Sequence, residues 1–510
     1  MEAIKIPYKE TENFSKIVLD YISEKKELKK FINDFPDIDS LGKQIKLKSS
    51  QKLDRVSLVS ALEKQYENID VSKQTLQNIQ LLNNKQTFTI TTGHQLCLFT
   101  GPLYFIYKIA SAINLVQSLN KKYPKNNFVP VFWLASEDHD FEEVNSINLY
   151  REKILWETKQ SGPVGRMKPH GIKLLIDEIR HVLGEGELVD RVINLFKNAY
   201  NKKNLSLATR FLVDELFSDF GVVVLDADIP ILKKQLIPII KKDVIENKFY
   251  NLIKDTADQL SQDYHIQAKV RKINFFRIKE NSRERIDVAS SEEDIFNNYA
   301  EYSPNVLIRP LYQELILPNL AYIGGGAEIA YWMLLRTSFV DSKIPMPLII
   351  LRNSALILSK PQAHKLNKLE IKDQQLFKNI DRLKKDYVMR NNLTISFEKE
   401  LVNLNKIYDA IFLKTKDISM HSSIESMKTK NIQMFEKSEN KLIKFTKDRD
   451  LIEINQIEKI MKILFPISSL QERHDNFTSY YCRYGENFIK ILVQNLNPLD
   501  TNFVILKLEK

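Results

Sequence analysis

Cysteine is scarce in this chain of 510 residues, which contains only Cys97 and Cys482. The two lie far apart and form neither a CxxC motif nor a zinc-binding spacing, so the sequence excludes a disulfide framework and favours a reducing compartment. Also lacking are a positive run followed by an apolar stretch at the start of the chain and any run of about twenty apolar residues. We therefore expect no signal peptide, no membrane span and a cytoplasmic protein.

Acidic residues are outnumbered, because 75 lysines and arginines stand against 65 aspartates and glutamates and leave a net charge of +10. A basic excess is one property of nucleic-acid-binding proteins, whose cations displace counterions from phosphates. Here the lysines are interspersed with glutamates, as in KKELKK, and no nucleic-acid-binding motif accompanies them. We therefore expect small-molecule substrates and no nucleic-acid partner. A small anionic substrate would suit the basic excess.

The apolar runs predict an α/β fold. The β-branched run TFTITTG is followed by the periodic helix LYFIYKIASAINLVQSL and then by a second apolar run, FVPVFWLAS. Strand, helix and strand within about fifty residues form a βαβ unit, which implies a parallel sheet that is buried on both faces. The runs GVVVLDAD and MPLIILRNS fit the same sheet.

Changes in residue pattern divide the chain before residue 361. We predict a helical segment over residues 1–80, where apolar positions recur at helical spacing. An α/β core follows over 81–360. The stretches near 151–210 and 250–310 are richer in charge, and we interpret them as insertions in this core.

The pattern changes again in the last third of the chain. Leucine, isoleucine and aromatic residues recur at spacings of three, four and seven over residues 361–465, which predicts an antiparallel α-helical coiled coil. We expect Asn391 and Asn392 to end its first helix. Residues 466–510 regain aromatic and β-branched runs, so this segment is expected to return to the core.

The first candidate site joins the first strand to the first crossover helix. In an open α/β sheet, ligands bind beyond the carboxyl ends of the strands, where helix N-termini favour anions. The candidate residues are Thr92, Gly93, His94, Gln95, Thr100, Gly101, Tyr104 and Lys108. The segment has neither the Gly-Lys-Ser/Thr of a P-loop nor a GxGxxG. We predict a binding loop, and the alternative is a tight structural turn.

The second candidate site follows the neighbouring strand and consists of Glu137, Asp138, His139 and Asp140. An acidic cluster around one histidine suits general base work on an amine, or metal coordination beside a nucleotide. We expect the carboxylates to raise the pKa of the histidine and to select one tautomer. The alternative is an acidic cap on a following helix. We assign no metal ligands.

The third candidate site is the turn Gly324-Gly325-Gly326, with Glu328 at the start of a helix. Consecutive glycines before a helix can form a nest of N–H groups that accepts an anion. Glu328 could bind a ribose hydroxyl or an amine. The alternative is a flexible turn whose following aromatic residues belong to the core.

A fourth candidate, Arg352 with Ser354, follows the run MPLIIL. An arginine at a strand end can pair with a carboxylate or a phosphate, and the alternative is a structural ion pair. Asp226 and Asp228 also close a strand. Cys97 lies in the first loop, but no base is assigned to it, and we interpret it as a buried filler.

Five motifs occur in a fixed order along the chain: TGHQLCLFTGPLYFIYK, VPVFWLASEDHDFEEVN, GGGAEIAYW, MPLIILRNSALIL and SLQERHDNF. In order and spacing they resemble the cysteine ligases of bacillithiol biosynthesis. The resemblance covers essentially the whole chain, and the first two motifs together are highly specific.

The resemblance implies a Rossmann-like core akin to class I aminoacyl-tRNA synthetases, with connective insertions and a coiled-coil arm that helps to form a homodimer. It implies a ligase that joins the carboxyl group of L-cysteine to the amine of glucosaminyl-malate, giving bacillithiol through an amide bond. It also implies contact with an adenine nucleotide, ATP or ADP, although the HIGH and KMSKS signatures of the synthetases are absent. The residues carried over lie at 92–104, 137–140 and 324–328.

Amide formation requires an activated carboxyl group and a deprotonated amine. We expect the two glycine-containing turns to stabilise phosphate or oxyanion charge, and His139 to take the amine proton. Arg352 or Lys108 would bind the anionic malate. The alternatives are a nucleotidyltransferase or a ligase that acts on another amino acid at the same site, and a coiled-coil scaffold whose α/β core is only a platform.

Overall fold

The computed structural model describes residues 1–67, 69–150, 152–391, 396–415, 417–449 and 451–509. In these ranges the strands, in chain order, are β1 (Glu2–Pro7), β2 (Thr87–His94), β3 (Asn127–Leu134), β4 (Ser146–Leu149), β5 (Glu152–Leu155), β6 (Val223–Asp226), β7 (Phe275–Lys279), β8 (Ser282–Arg285), β9 (Tyr302–Pro304), β10 (Asn319–Gly324), β11 (Leu348–Leu351), β12 (Ala355–Ser359) and β13 (Asn502–Leu508).

The α-helices of the same ranges are α1 (Lys16–Ile22), α2 (Ile38–Ser49), α3 (Arg55–Tyr66), α4 (Lys73–Leu81), α5 (Leu103–Lys122), α6 (Ile172–Leu183), α7 (Glu187–Tyr200), α8 (Leu205–Leu216), α9 (Pro230–Lys233), α10 (Ile237–Ile240), α11 (Lys248–Leu260), α12 (Glu292–Asn298), α13 (Arg309–Ile316), α14 (Gly326–Trp332), α15 (Arg336–Asp341), α16 (Lys360–Lys368), α17 (Ile380–Asn391), α18 (Glu398–Lys414), α19 (His421–Arg449), α20 (Leu451–Leu464), α21 (Thr478–Tyr484) and α22 (Glu486–Asn495). Within the described ranges, none of these helices is long and apolar enough to cross a membrane.

Five parallel strands form the central sheet, in the order β11-β10-β2-β3-β6. Four of them coincide with the apolar runs identified in the sequence. The fifth, β10, was not predicted as a strand, yet it lies between β2 and β11. Its position brings the glycine turn to the same edge of the sheet as the loop after β2.

The core of the sheet is largely apolar, but β2 also buries threonine side chains. Phe88 and Ile90 of β2 pack with Phe128 of β3 and with α5. Thr89 and Thr91 are also fully buried, and their hydroxyls donate to the Asn319 side chain at 3.2 and 2.8 Å. This pairing satisfies the hydroxyl groups, which would otherwise destabilise a buried strand.

Three smaller sheets complete the strand pairing: β1-β13-β12, the antiparallel pair β4-β5, and the antiparallel sheet β8-β7-β9. The segment 1–80 is therefore not purely helical, because it begins with β1. The insertion near 151–210 contains α6, α7 and α8, and the insertion near 250–310 carries the β8-β7-β9 sheet.

The chain divides into two compact units, residues 1–356 with 469–506, and residues 357–468 with 507–509. In the second unit, α18 and α19 run antiparallel. Phe397 stacks edge-on against Phe435, Lys428 pairs with Asp409 at 3.3 Å, and Phe412 contacts His421. Residue numbers thus rise along one helix as they fall along the other.

The first helix of the second unit is shorter than the heptad spacing predicts. Helix α16 ends at Lys368, and a second helix, α17, begins at Ile380. Between them Glu370 has a φ of 52°, a left-handed conformation that an α-helix cannot contain. The predicted end at Asn391 agrees with the last residue of α17, and Asn392 lies outside the described residues.

Candidate active site

Gln95, the residue after β2, connects the first two sequence motifs. Its Nε2 donates to Asp138 Oδ2 at 2.8 Å and to Glu143 Oε2 at 2.7 Å. Both acceptors lie in the loop after β3, which pairs with β2 along its whole length. The loop after β2 and the acidic loop therefore meet at the carboxyl edge of the sheet. We call Gln95, Asp138, His139, Glu143 and Arg283 the edge cluster.

Asp138 organises the backbone of its own loop. Its Oδ1 accepts the N–H groups of His139 at 2.7 Å and of Asp140 at 3.3 Å. It lies 3.8 Å from the His139 ring nitrogen Nδ1, beyond hydrogen-bond distance. Asp140 is exposed. The expectation that these two carboxylates orient the imidazole is therefore wrong, because the nearer one is used by the loop itself.

Arg283 of β8 is the group that contacts the His139 ring. Its Nη1 lies 3.1 Å from His139 Nδ1, and its other donors bond Ser303 Oγ at 3.0 Å and Pro304 O at 2.9 Å. Partial burial and the positive charge of Arg283 lower the pKa of His139, and they outweigh Asp138 and Asp140. The predicted rise in pKa is therefore wrong.

Glu137 belongs to a buried ion-pair network beside the edge cluster. Lys233, whose side chain is 0% exposed, lies 2.6 Å from both Glu137 Oε1 and Asp228 Oδ1. Arg166 pairs with the second oxygen of Asp228 at 2.8 Å, and Ser136 Oγ donates to Asp226 Oδ1 at 2.5 Å. This network fixes the ends of β3 and β6 against each other. Among the described residues, no group of three or more histidine, cysteine, aspartate or glutamate side chains is placed to hold a metal ion.

On its other side, the end of β2 meets α5 and the start of α14. Lys108 Nζ donates to Gly93 O at 2.9 Å and pairs with Glu328 Oε2 at 2.5 Å. Glu328 also accepts from the Tyr322 hydroxyl at 2.6 Å and from the Gly325 N–H at 2.7 Å. Burial would raise the pKa of Glu328, but Lys108 and the Gly325 N–H hold it below its usual value. Lys108 and Glu328 thus pair with each other inside the protein.

Arg352 forms a second buried ion pair. Its Nη2 lies 2.7 Å from Glu472 Oε1, and its guanidinium lies over the Tyr104 ring at 5.1 Å. Ser354 Oγ donates to the same Glu472 oxygen at 3.0 Å. Arg352 thus forms the structural ion pair that was the alternative to ligand binding. That Arg352 or Lys108 binds malate stays a prediction, and these pairings do not support it.

Arg309, the first residue of α13, is a further cation at this edge that sequence analysis did not identify. Its guanidinium carbon lies 5.7 Å from the centre of the Trp133 ring and 5.3 Å from that of Tyr322, one ring from each strand that flanks β2. Nη1 donates to Gln313 Oε1 at 3.0 Å. Nη2 is buried and makes no well-aligned hydrogen bond among the described residues. Burial would lower the pKa of Arg309, but the Tyr331 hydroxyl and the Glu328 carboxylate raise it, although within the described ranges no carboxylate is in direct ion-pair contact with the guanidinium.

The loop after β2 uses most of its N–H groups internally. Seven already donate to protein acceptors, namely those of Gln95, Cys97, Leu98, Phe99, Thr100, Gly101 and Leu103. A nucleotide phosphate at this loop would need free N–H groups, because oriented donors are what make a helix start or glycine turn an anion site. The loop in this conformation therefore does not fit a phosphate chain.

The glycine turn after β10 is also closely packed. A Cβ on Gly326 would lie 2.8 Å from Val18 Cγ2, and one on Gly324 would lie 2.9 Å from Glu328 Cβ. The Gly325 N–H is engaged by Glu328. Packing therefore accounts for Gly324 and Gly326, and one of the N–H groups of the predicted nest, that of Gly325, is already used. Their contact with a ligand stays a prediction.

The remaining predicted residues are buried or partly buried in the loop itself. Thr92 Oγ1 donates to Ile323 O at 2.8 Å, inside the sheet. Gly101 has a φ of +63° and accepts from Asn476 Nδ2 at 2.7 Å. Burial lowers the pKa of His94 to about 3 and raises that of Cys97 to about 12. Cys97 is thus a protonated filler, as expected, and Thr100 keeps a buried hydroxyl without a hydrogen-bond partner in the described part of the chain.

Two family models together match almost the whole chain. Residues 1–353 match the N-terminal Rossmann-like domain of bacillithiol biosynthesis BshC, and residues 355–508 match its C-terminal coiled-coil domain. The chain belongs to the BshC family. The resemblance identified from the motifs is confirmed, and so is the predicted fold class of a Rossmann-like parallel sheet with a helical coiled coil.

Relatives in the BshC family align with the chain from end to end. A protein of Flavobacterium johnsoniae is 39% identical over 98% of this chain and 99% of its own length. One of Flavobacterium psychrophilum is 40% identical over the same shares. A protein of Bacillus cereus is 25% identical over 96% of this chain and 98% of its own length. All three bear the name "Putative cysteine ligase BshC", the name of an enzyme, as the motifs predicted.

The cations that sequence analysis missed come from two places. Arg283 and Arg309 lie in the segment near 250–310 that was interpreted as a charged insertion, and Lys233 lies in a helix that no motif marks. Arg309 precedes Pro310, and proline is frequent at the start of a helix, so the sequence could have placed Arg309 at a helix start. Nothing in the sequence indicates that this start faces the end of β2.

Proposed function

We propose that the protein joins the carboxyl group of L-cysteine to the amine of glucosaminyl-malate by an amide bond, at the carboxyl edge of its central sheet. The single observation that carries the proposal is the bond from Gln95 to Asp138 and Glu143. It assembles the two most specific motifs of a cysteine-ligase family into one site. Such an edge is where open α/β sheets bind their ligands.

The charges at this edge suit two substrates that carry opposite groups. Asp138 and Glu143 present carboxylate oxygens toward Gln95, and carboxylates attract ammonium groups. Arg309 supplies a cation without a carboxylate partner among the described residues. An arginine in this position can bind a carboxylate of malate or cysteine through two parallel hydrogen bonds. We therefore assign anion binding to Arg309 in place of Arg352 and Lys108.

Activation of the carboxyl group is part of the proposal, because a free carboxylate does not exchange an oxygen for an amine at a useful rate. An adenine nucleotide, ATP or ADP, is the cofactor that the resemblance implies, and it would supply a phosphoryl or adenylyl group. Seven N–H groups of the loop after β2 and the Gly325 N–H of the glycine turn, where its phosphates were first expected, already donate to protein acceptors.

A product assay tests the proposal directly. The purified full-length protein is incubated with cysteine and glucosaminyl-malate, with and without ATP, and the products are analysed by mass spectrometry. We expect a product with the mass of the amide, one water less than the sum of the two substrates. If neither reaction contains this product while the protein is folded, the proposal is wrong.

A panel of other amino acids distinguishes the alternatives. If the protein is a ligase for another amino acid, it forms the amide of that amino acid with glucosaminyl-malate faster than it forms the amide of cysteine. A scaffold protein forms no amide with any amino acid. The edge cluster favours an enzyme, because a scaffold does not require carboxylates, a histidine and an arginine gathered at one sheet edge.

We propose further that the second unit pairs with a second copy of the chain. Met427 and Met434 of α19 lie seven residues apart and are 56% and 64% exposed, and Met420, which is 52% exposed, lies one residue before the helix at the same spacing. An exposed apolar stripe with this spacing is typical of a helix that packs against another helix. A homodimer would cover it.

A further inference from the structure

The contact between Arg283 and His139 determines which ring nitrogen of the histidine can carry a proton. A guanidinium has only donors, so the 3.1 Å contact between Arg283 Nη1 and His139 Nδ1 is a hydrogen bond in which Nδ1 accepts. A neutral imidazole carries one proton, which must then be on Nε2. Within the described residues, Nε2 has no hydrogen-bond partner, and the side chain is 43% exposed.

Arg283 is held rigidly enough to impose this tautomer. Its side chain is 8% exposed, and it donates from Nε to Ser303 Oγ and from Nη2 to Pro304 O. Its guanidinium carbon lies 4.0 Å from the centre of the Phe276 ring, and the same ring lies 5.5 Å from the His139 ring. Strands β7 and β9 of the same sheet thus hold the guanidinium of Arg283, and Phe276 contacts both Arg283 and His139.

We propose that Arg283 is a positioning residue that holds His139 as the neutral Nε2–H tautomer, so that His139 donates a hydrogen bond to a substrate carboxyl or carbonyl oxygen. In this state His139 does not serve as a base, because the lone pair of Nδ1, the one ring nitrogen without a proton, already accepts the hydrogen bond from the guanidinium. The sheet β8-β7-β9, part of a charged insertion, therefore belongs to the site. The identity of the substrate oxygen rests on the proposed ligase function, but the tautomer does not.

The charged groups around the ring agree with this assignment. Asp138 and Asp140 favour an imidazolium, whereas Arg283 and Arg285 oppose it. Partial burial adds to the effect of the arginines, and the balance keeps the ring neutral. A neutral imidazole whose Nδ1 is already bonded is suited to donate from Nε2.

NMR spectroscopy of the full-length protein tests the tautomer without any substrate. The eight histidines are labelled with ¹⁵N, and the signals of His139 are identified from their loss in His139→Gln. We expect a protonated Nε2 and an unprotonated Nδ1 at pH 8, where the ring is neutral. In Arg283→Met the preference for one tautomer is lost. Arg285→Met is the matched control, because Arg285 lies over the same Phe276 ring but has no bond to His139, and it keeps the tautomer.

A proton on Nδ1 in the wild-type protein, or an unchanged tautomer in folded Arg283→Met, would overturn the proposal. Activity provides a second test. Glutamine can donate from a position near that of Nε2 but cannot take a proton, so we expect His139→Ala to lower kcat by about 100-fold and His139→Gln by less than about 10-fold. Equal losses indicate a base and contradict the proposal. The tautomer result stands if no amide is formed, so the two proposals fail separately.

Discussion

The side-chain amide of Gln95 donates to the carboxylate of Asp138 across 2.8 Å and ties the loop after β2 to the loop after β3. The same nitrogen reaches Glu143 at 2.7 Å. Three polar side chains from two adjacent strand ends are therefore positioned by one amide group. The arrangement of the edge cluster depends on this bond more than on any feature of the acidic loop alone.

Replacement of Gln95 should impair activity without unfolding the protein. In Gln95→Leu both bonds are lost, and a shift of the acidic loop by about 1 Å is enough to lower kcat/KM by about 100-fold. Steady-state kinetics and thermal unfolding measure the two effects. Gln80→Leu is the control, because Gln80 makes a similar bond to Glu63 on an exposed helix surface. Full activity of Gln95→Leu would contradict the prediction.

Arg309 should determine the affinity for the anionic substrate. Loss of a charge-assisted hydrogen bond costs about 1.5–3 kcal/mol, so Arg309→Met should raise KM for the substrate whose carboxylate it binds by about 10- to 100-fold. Kinetics with each substrate varied in turn identify which one is affected. Arg180→Met, which breaks an exposed ion pair with Asp190, serves as the control. An unchanged KM for both substrates would show that Arg309 binds neither.

The ion pair between Arg352 and Glu472 should be a stability determinant. Both side chains are almost completely buried, so Glu472→Ala leaves an unpaired buried guanidinium and should lower the free energy of unfolding by about 3–5 kcal/mol. Urea unfolding measures the loss. Replacement of both residues by Met and Leu should cost less, because no charge is left unpaired. The exposed pair of Arg191 with Glu187 is the control, and a loss as small as in Glu187→Ala would refute the prediction.

Asp214 should make stability depend on pH. Burial raises its pKa to about 7, and its Oδ2 has no hydrogen-bond partner among the described residues. The folded protein thus holds this proton more tightly than the unfolded chain does. Protonation of Asp214 therefore contributes to the free energy of unfolding. This contribution, about 4 kcal/mol at most, is fully present below about pH 4 and is lost as the pH rises through about 7.

Asp214→Asn should remove this dependence. Relative to wild type, the variant should gain free energy of unfolding as the pH rises from 5 to 8, which urea titrations at both pH values measure. Asp219→Asn, at an exposed position, controls for a general loss of negative charge. If the difference between wild type and Asp214→Asn is the same at both pH values, the buried carboxyl does not titrate as expected.

Dimerisation should depend on the methionine stripe of the second unit. Glutamates at Met427 and Met434 place two charges in a helix contact, so the double variant should be monomeric where the wild type is dimeric. Analytical ultracentrifugation measures the mass of both. Thr429→Glu is the control, because it lies about 200° around the helix from Met427. A wild-type monomer, or a dimeric double variant, would contradict the proposal.

Local sequence pattern was sufficient for the framework of the site. The run from Thr87, the helix that starts after Pro102 and the run that ends before Ser136 each carry their own signal, because side-chain periodicity and turn residues act over a few positions. Parallel strands joined by a helix must have their carboxyl ends at one edge. The sequence was therefore sufficient to predict that the first two motifs meet, but it did not predict that β10 lies beside β2.

Only the tertiary structure decided which charges are paired and which are free. Arg283 meets His139 across 144 residues of sequence, and Arg352 meets Glu472 across 120. Periodicity carries no information over such distances, so the sequence could not show that Arg352 is neutralised while Arg309 has no carboxylate partner in the described ranges. The chain thus determines on its own where its polar loops lie. The packing of distant segments determines the protonation, pairing and chemical role of each side chain, because these depend on burial and on the nearest charge.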